Sequence, residues 1–131
     1  MATFKASHRY ARIAPRKARL IMDMVRGRDV DDAITMLRFA KQRASGMIEK
    51  VIRSAVANAN EQEVPSRNTL YVASARVDPG PIIKRFQPKD RGKAYSIKKR
   101  TSHLVVTIDE REEGAKYRPK QVVGGRPGKA R

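Results

Sequence analysis

Cysteine and tryptophan are both absent from these 131 residues, and three Phe with four Tyr make up the aromatics. Without Cys there is no disulfide framework and no thiolate metal site, which fits a reducing compartment. No run of eighteen or more apolar residues occurs, so no segment reads as a membrane-spanning helix. The opening MATFKASHRYARIAP lacks the continuous apolar core of a secretory signal. Acid is the scarcest commodity: 13 Asp plus Glu face 30 Lys plus Arg, a net charge of +17. Self-repulsion on that scale opposes compaction unless a polyanion neutralises it, with nucleic acid the first candidate and an anionic membrane the second. The expectation is a soluble, intracellular, basic single domain with appendages.

Catalytic chemistry is missing as well. The two histidines, His8 on a strand face and His103 at a strand start, have no partners at metal-ligand spacing and read as structural or phosphate-facing. Asp31 and Asp32 are explained by a helix start, and Asp109, Glu110, Glu112 and Glu113 form a surface run rather than a converging acid–base pair. GGRPG lacks the Lys-Ser/Thr ending of a phosphate-binding loop. No enzyme, metal or cofactor is expected.

What is present divides into four zones. From Thr3 to Arg12 a period of two puts Phe4, Ala6, His8 and Tyr10 on one strand face. Ile13 to about Asn60 is helical. Pro15 suits a first helical turn; Ala18, Ile21, Met24 and Val25 make a core stripe, and Gly27 ends it. A second helix opens near Asp29, with Asp31 and Asp32 at the positive dipole end and Val30, Ala33, Ile34 and Leu37 facing inward. In the third, Ala44, Ile48, Val51, Ala55 and Ala59 recur at threes and fours, with Lys50 and Arg53 outside; Gly46 suggests close packing. EQEVPSRN is then a loop, and Leu70–Val77 and Ser102–Ile108 are strands. From Gly114 to Arg131 there are six basic residues and no acid, a tail expected to be disordered until it meets a partner.

Between those strands lies GPIIKRFQPKDRGKAYSIKKRTSH, with eight Lys or Arg and one acid between Lys84 and Arg100. It reads as a long hairpin, bent at Pro79, Gly80 and Pro81 and turning at Asp90, Arg91 and Gly92. Arms of ten to twelve residues carry its tip about 30 to 40 Å from the body. An isolated ribbon is marginal in water and this one repels itself, so its order is expected to come from an anionic sheath. The bland alternative is a solvated loop without a role, against which stands the rarity of such long loops.

The cations continue beyond the ribbon. Arg16, Arg19 and Arg26 share one flank of the first helix with Lys17 beside them; Arg9 and Arg12 precede them, Lys50 and Arg53 lie on the third helix, and all are expected RNA contacts. Charge that surrounds a protein and runs into two protrusions suits an enclosing, folded RNA better than one DNA groove. Phe86 and Tyr95 are expected to stack on unpaired bases; the same role for Tyr10 competes with a place in the core, which its period-two position favours.

RIAPRKARLIMDMVRG, SAVANAN, VDPGPIIKRFQPKDRGKA and IKKRTSHLVV, in this order, resemble the blocks of the bacterial large-subunit ribosomal protein family numbered twenty-two, over about Lys5 to Glu110. The resemblance implies an α+β body: three helices on a three-stranded antiparallel sheet, with a protruding β-hairpin over about 78–103. That makes residues 1–110 one RNA-binding domain and 111–131 a basic extension past the usual family end. It implies binding to several domains of large-subunit ribosomal RNA, contact with neighbouring ribosomal proteins, and a part in assembly, all in the cytoplasm. The hairpin tip would line the peptide exit tunnel near its constriction, beside the nascent peptide and the region where macrolide antibiotics act. Carried over, RNA contacts fall to Arg12, Arg16, Lys17, Arg19 and Arg26, and on the ribbon to Lys84, Arg85, Lys98, Lys99, Arg100, Thr101 and Ser102. Pro88, Lys89, Asp90, Arg91, Gly92, Lys93 and Ala94 form the tunnel-facing tip. Asp90 departs from the small or basic residue usual there; facing the lumen or pairing with Arg91 or Lys93 would accommodate it.

Three other classes compete. A histone-like architectural DNA protein could use FQP as a wedge, but nothing signals the self-complementary dimer interface such proteins need. An RNA-processing enzyme would require a paired acid and base. An interfacial membrane role would require a broad amphipathic stripe with aromatic anchors.

Overall fold

A computed structural model of the chain describes residues 3–62 and 69–111. The tail from 112 onward and most of the expected loop EQEVPSRN lie outside the described residues. Six elements follow in order: β1 (Thr3–Ala11), α1 (Pro15–Val25), α2 (Val30–Phe39), α3 (Arg43–Glu61), β2 (Leu70–Lys89) and β3 (Lys93–Glu110). The strands form one antiparallel sheet in the order β1-β3-β2. The α+β architecture of three helices on a three-stranded sheet is therefore as the resemblance implied.

The three helices cover one face. α3 lies across β1 and β3, and α1 lies against β2. Between them Ile21, Met22, Ile48 and Ile52 meet Val72, Leu104, Val106 and Ile108, all of them out of solvent. Each such side chain contributes roughly 1.5–3 kcal/mol by leaving water, so this layer supplies most of the driving force. Asn58 of α3 donates to the Lys5 carbonyl (3.1 Å), pinning the helix to the outer edge of β1. On the other side, Gly27 and Arg28 exchange hydrogen bonds with Val72 (2.8 and 2.9 Å), so the α1–α2 turn covers part of the β2 edge. Gly27 has φ 81, a conformation that only Gly adopts freely.

Three expectations fail for identifiable reasons. Met22, not Met24, completes the stripe of α1; it lies three to four residues from Ala18 and Val25, whereas Met24 falls on the outer flank and stays half exposed. Gly46 marks no close approach, since a Cβ placed there would meet nothing within 4 Å. Tyr10 is not in the core. The β1–β3 register shifts between His8 and Ala11, so Ala11 takes the buried position, while Tyr10 sits at φ 58 with its ring exposed. A left-handed backbone at a residue with a Cβ costs on the order of 1 kcal/mol.

β2 and β3 run without a break from the body into the ribbon. Pairing slips at the Pro79–Gly80–Pro81 step: Pro79 faces Ser102 and Ile82 faces Arg100, leaving two residues opposite Thr101. This is the expected bulge. Eight further rungs, Ile82↔Arg100 through Lys89↔Lys93, then add roughly 26 Å of two-stranded ribbon. The tip closes with Lys93 N–H donating to the Asp90 carbonyl (3.2 Å) across Arg91 (φ 44) and Gly92 (φ 85). Asp90 is itself left-handed at φ 50, a conformation Asp accepts more readily than most residues.

The root of the ribbon is tightly built. Thr101 Oγ1 donates to the Pro81 carbonyl (2.6 Å), and Ser102 Oγ donates to the Ile13 carbonyl (3.0 Å). A Cβ at Gly80 would come within 2.6 Å of Thr101 Oγ1 and 3.3 Å of its carbonyl group. Gly80→Ala is therefore expected to cost about 1–3 kcal/mol and lower the thermal midpoint by several degrees. An unchanged midpoint in a calorimetric scan would show that the bulge yields.

Candidate nucleic-acid interface

Where the ribbon leaves the body it leans over the first turns of α1 and α3. The result is an open cleft of about 840 Å³ lined by Arg12, Lys17, Arg43, Arg85, Lys98, Lys99 and Arg100, with Ile13 and Ala14 on its floor. Seven cations line it and no acid does. A second groove of about 680 Å³ continues around the N-terminus of α1, between Arg16, Lys17, Arg19 and Arg100, ending at Pro79. Lys17, Arg100 and Ala14 belong to both, so the two form one basic surface.

Helix ends strengthen this field. Neither α1 nor α3 has a side-chain cap or an acid in its first turn. Their unneutralised N–H groups add positive potential to the cations around them. Cations at a helix N-terminus are locally unfavourable, and Arg16, Lys17 and Arg43 all occupy such places. An external anion would relieve that mismatch.

The ribbon repeats the conflict. Lys84 lies directly opposite Lys98, and Lys89 opposite Lys93, so like charges share cross-strand pairs. Such pairs oppose the pairing that brings them together. Ile83 and Ile97, diagonal on one face and partly covered, are the small apolar contact in its favour. Phe86 and Tyr95 are exposed, as their expected role requires.

The predicted contact residues thus separate. Arg12, Lys17, Arg85, Lys98, Lys99 and Arg100 converge on the cleft. Arg16 and Arg19 line the second groove, with Arg19 also donating to the Val77 carbonyl (3.2 Å). Arg26 is turned onto the protein: its guanidinium donates to the Ala75 carbonyl (3.1 Å from Nε) and pairs with Asp23 (2.7 Å), joining α1 to β2. Arg53 pairs with Glu49 (2.6 Å), which also meets Arg38 (3.2 Å); Lys50 is exposed on the same helix, away from the cleft. Thr101 and Ser102 are buried beneath the surface with both hydroxyls satisfied internally. The tip residues from Pro88 to Ala94 are exposed and stand clear of the cleft. Asp90 makes no ion pair with Arg91 or Lys93 among the described residues.

Arg43 is the residue sequence reading missed. No periodicity marks it, because its neighbours in the cleft come from α1 and the ribbon; only its place at an uncapped helix start was visible in the chain. Among the described residues, no cluster of His, Asp or Glu is placed to hold a metal ion, and no helix is long and apolar enough to cross a membrane.

The family model described as ribosomal protein L22p/L17e matches residues 6–109, which span the body and the whole ribbon. The chain belongs to the ribosomal protein L22p/L17e family. This is a family of structural ribosomal proteins, not of enzymes. Among its members, the chain is 47% identical over 108 residues to the large ribosomal subunit protein uL22 of Thermoanaerobacter pseudethanolicus, covering 82% of this chain and 97% of that one. The proteins of the same name from Bdellovibrio bacteriovorus and Carboxydothermus hydrogenoformans are each 46% identical, over 107 and 110 residues. They cover 82% and 84% of this chain and 97% of their own length. The L22p/L17e match stops at residue 109, so the basic stretch from 111 onward lies beyond it.

Proposed function

We propose that this chain organises large-subunit ribosomal RNA by seating phosphates in the cleft between its body and its ribbon. As a family member it is a structural constituent of the large ribosomal subunit, working in the cytoplasm with ribosomal RNA and neighbouring ribosomal proteins around it. The observation that carries the RNA reading is the seven-cation, acid-free cleft. Cations fixed along a line neutralise crowded phosphates and set their geometry, without reading sequence. Arg12, Lys17, Arg43, Arg85, Lys98, Lys99 and Arg100 take phosphates in the cleft; Arg9, Arg16, Lys50 and Lys84 extend the contact outward. Thr101 and Ser102 act through the root they hold, and Arg19 and Arg26 partly through α1 and β2. Phe86 and Tyr95 stack on unpaired bases.

The ribbon threads the RNA and its tip, Pro88 to Ala94, lines the peptide exit tunnel beside the nascent chain and the macrolide region. A narrow arm roughly 26 Å long with an exposed turn supports this reading. Asp90 then faces the lumen, where no phosphate opposes it. The extension over 111–131 is a further RNA-embedded segment appended to a domain of residues 1–110, and the whole assists subunit assembly by joining separate RNA domains.

Salt-titrated binding curves test the proposal, on large-subunit ribosomal RNA and on duplex DNA of matched phosphate content. The intact chain is compared with one in which Lys84 to Lys99 are replaced by a short Gly-Ser turn. RNA is expected to win at physiological salt. The deletion removes seven cations, Lys84 through Lys99, and keeps Arg100, so its slope of log K against log salt falls by several units, at roughly 0.7–0.9 per lost phosphate contact. Equal or better binding to DNA would make the chain an architectural DNA protein instead.

A further inference from the structure

We infer that Tyr10 is a stacking platform for an unpaired RNA nucleobase, held outside the protein by the β1 bulge. This rests on the RNA reading above. The alternation of β1 would turn this ring toward the helices, where Phe4 and Ala6 are buried. Instead one residue is inserted into the strand, the backbone of Tyr10 takes the left-handed φ of 58, and the ring is 59% exposed. Packing stability does not explain this arrangement, because it gives up the burial of an aromatic side chain and strains a non-glycine backbone.

The position is nonetheless fixed. Tyr10 N–H donates to Nδ1 of His103 (2.9 Å), and the two rings meet edge to face, with centroids 4.9 Å apart and planes at 87°. An edge-to-face partner covers at most one face of the phenol ring. The Arg9 guanidinium lies over the ring, 5.9 Å from its centroid; an incoming base displaces this exposed side chain from the ring, leaving it beside the phosphate that accompanies the base. His103 faces Asp78 at the root of the ribbon, so the platform sits at the junction of body and ribbon. A flat, apolar surface with a displaceable cation beside it matches a base and its backbone, and bases stack on such rings with little regard to identity.

The sequence has no Trp, so Tyr10→Trp introduces a single indole reporter into the full chain. Large-subunit ribosomal RNA is expected to quench its emission and shield it from acrylamide, whereas duplex RNA of equal phosphate content leaves it bright. Tyr10→Leu is expected to weaken binding to the ribosomal RNA roughly 5- to 100-fold with the salt slope unchanged, because no charge is lost. Tyr10→Phe should bind within twofold of the parent. Thermal melts report whether each variant is folded, and if Tyr10→Leu is not, the indole signal decides alone. If the parent chain binds the RNA with a steep salt slope but Tyr10→Leu binds equally, or the indole is quenched no more by ribosomal RNA than by duplex, the platform is refuted while the RNA reading stands. A parent chain with no preference for ribosomal RNA overturns both.

Discussion

Replacing Arg12, Lys17, Arg43 and Lys98 together by Ala is expected to weaken binding to large-subunit ribosomal RNA about 1000-fold at 0.1 M salt. The four side chains line one cleft from four places: the β1–α1 connection, α1, the start of α3, and the ribbon. Each phosphate contact contributes roughly 0.7–0.9 to the slope of log K against log salt, so losing four lowers it by about three. Referred to about 1 M salt, where counterion release no longer drives binding, three units of slope amount to roughly three decades at 0.1 M. Filter binding across a salt series measures both quantities. The four side chains are surface cations, so the melting temperature should hold or rise as self-repulsion falls. A slope that drops by less than one unit would mean that the cleft is not where the phosphates sit. Arg53→Ala is the matched control: already paired with Glu49, it is expected to shift the slope far less.

Leu104→Ala is expected to destabilise the fold by about 2–5 kcal/mol, the largest single-residue effect in this chain. Leu104 is out of solvent on the central strand, flanked by His8 on β1 and Val77 on β2, with the helices above. Truncation there opens a cavity at the middle of the layer, where no loop can settle into it. At roughly 3–5 °C per kcal/mol for a domain of this size, the midpoint falls by about 6–25 °C. Phe86→Ala removes a larger ring and should move the midpoint by less than about 0.5 kcal/mol equivalent, because Phe86 projects from the ribbon into solvent. A calorimetric pair therefore separates body from arm. Comparable losses in both variants would show that ribbon and body melt as one unit.

Much of this was legible in the chain. The helix starts at Pro15 and Asp29, the stripe of α3, the Pro79–Pro81 interruption and the turn at Gly92 all follow from local chemistry that a window of a few residues contains. The failures share one cause, which is geometry set by residues distant in sequence. The bulge at Tyr10 carries no Gly or Pro to announce it; it is fixed by His103, ninety-three residues away. Arg43 joins the cleft because the ribbon leans over α3. Thr101 and Ser102 lie in a segment of basic residues yet face inward, since they stand opposite the bulge and against Ile13. Arg26 looks like its neighbours on α1, and only the placement of β2 gives it a carbonyl to bind. Met24 is a simpler error of phase.

Beyond its bulge, the ribbon has no central strand: β2 and β3 each present one unpaired row of N–H and C=O groups to the outside. Such rows are templates for other chains, and Ile82, Ile83, Phe86, Tyr95 and Ile97 would make a sticky template. The lysine pairs that weaken the ribbon also prevent that outcome, since a second copy would have to bring its own cations against them. A free chain is therefore expected to resist pairing its ribbon with that of a second copy. Lysine-to-glutamine changes at positions 84, 89, 93 and 98 would remove that safeguard and leave two open, less charged edges for a second copy to pair with.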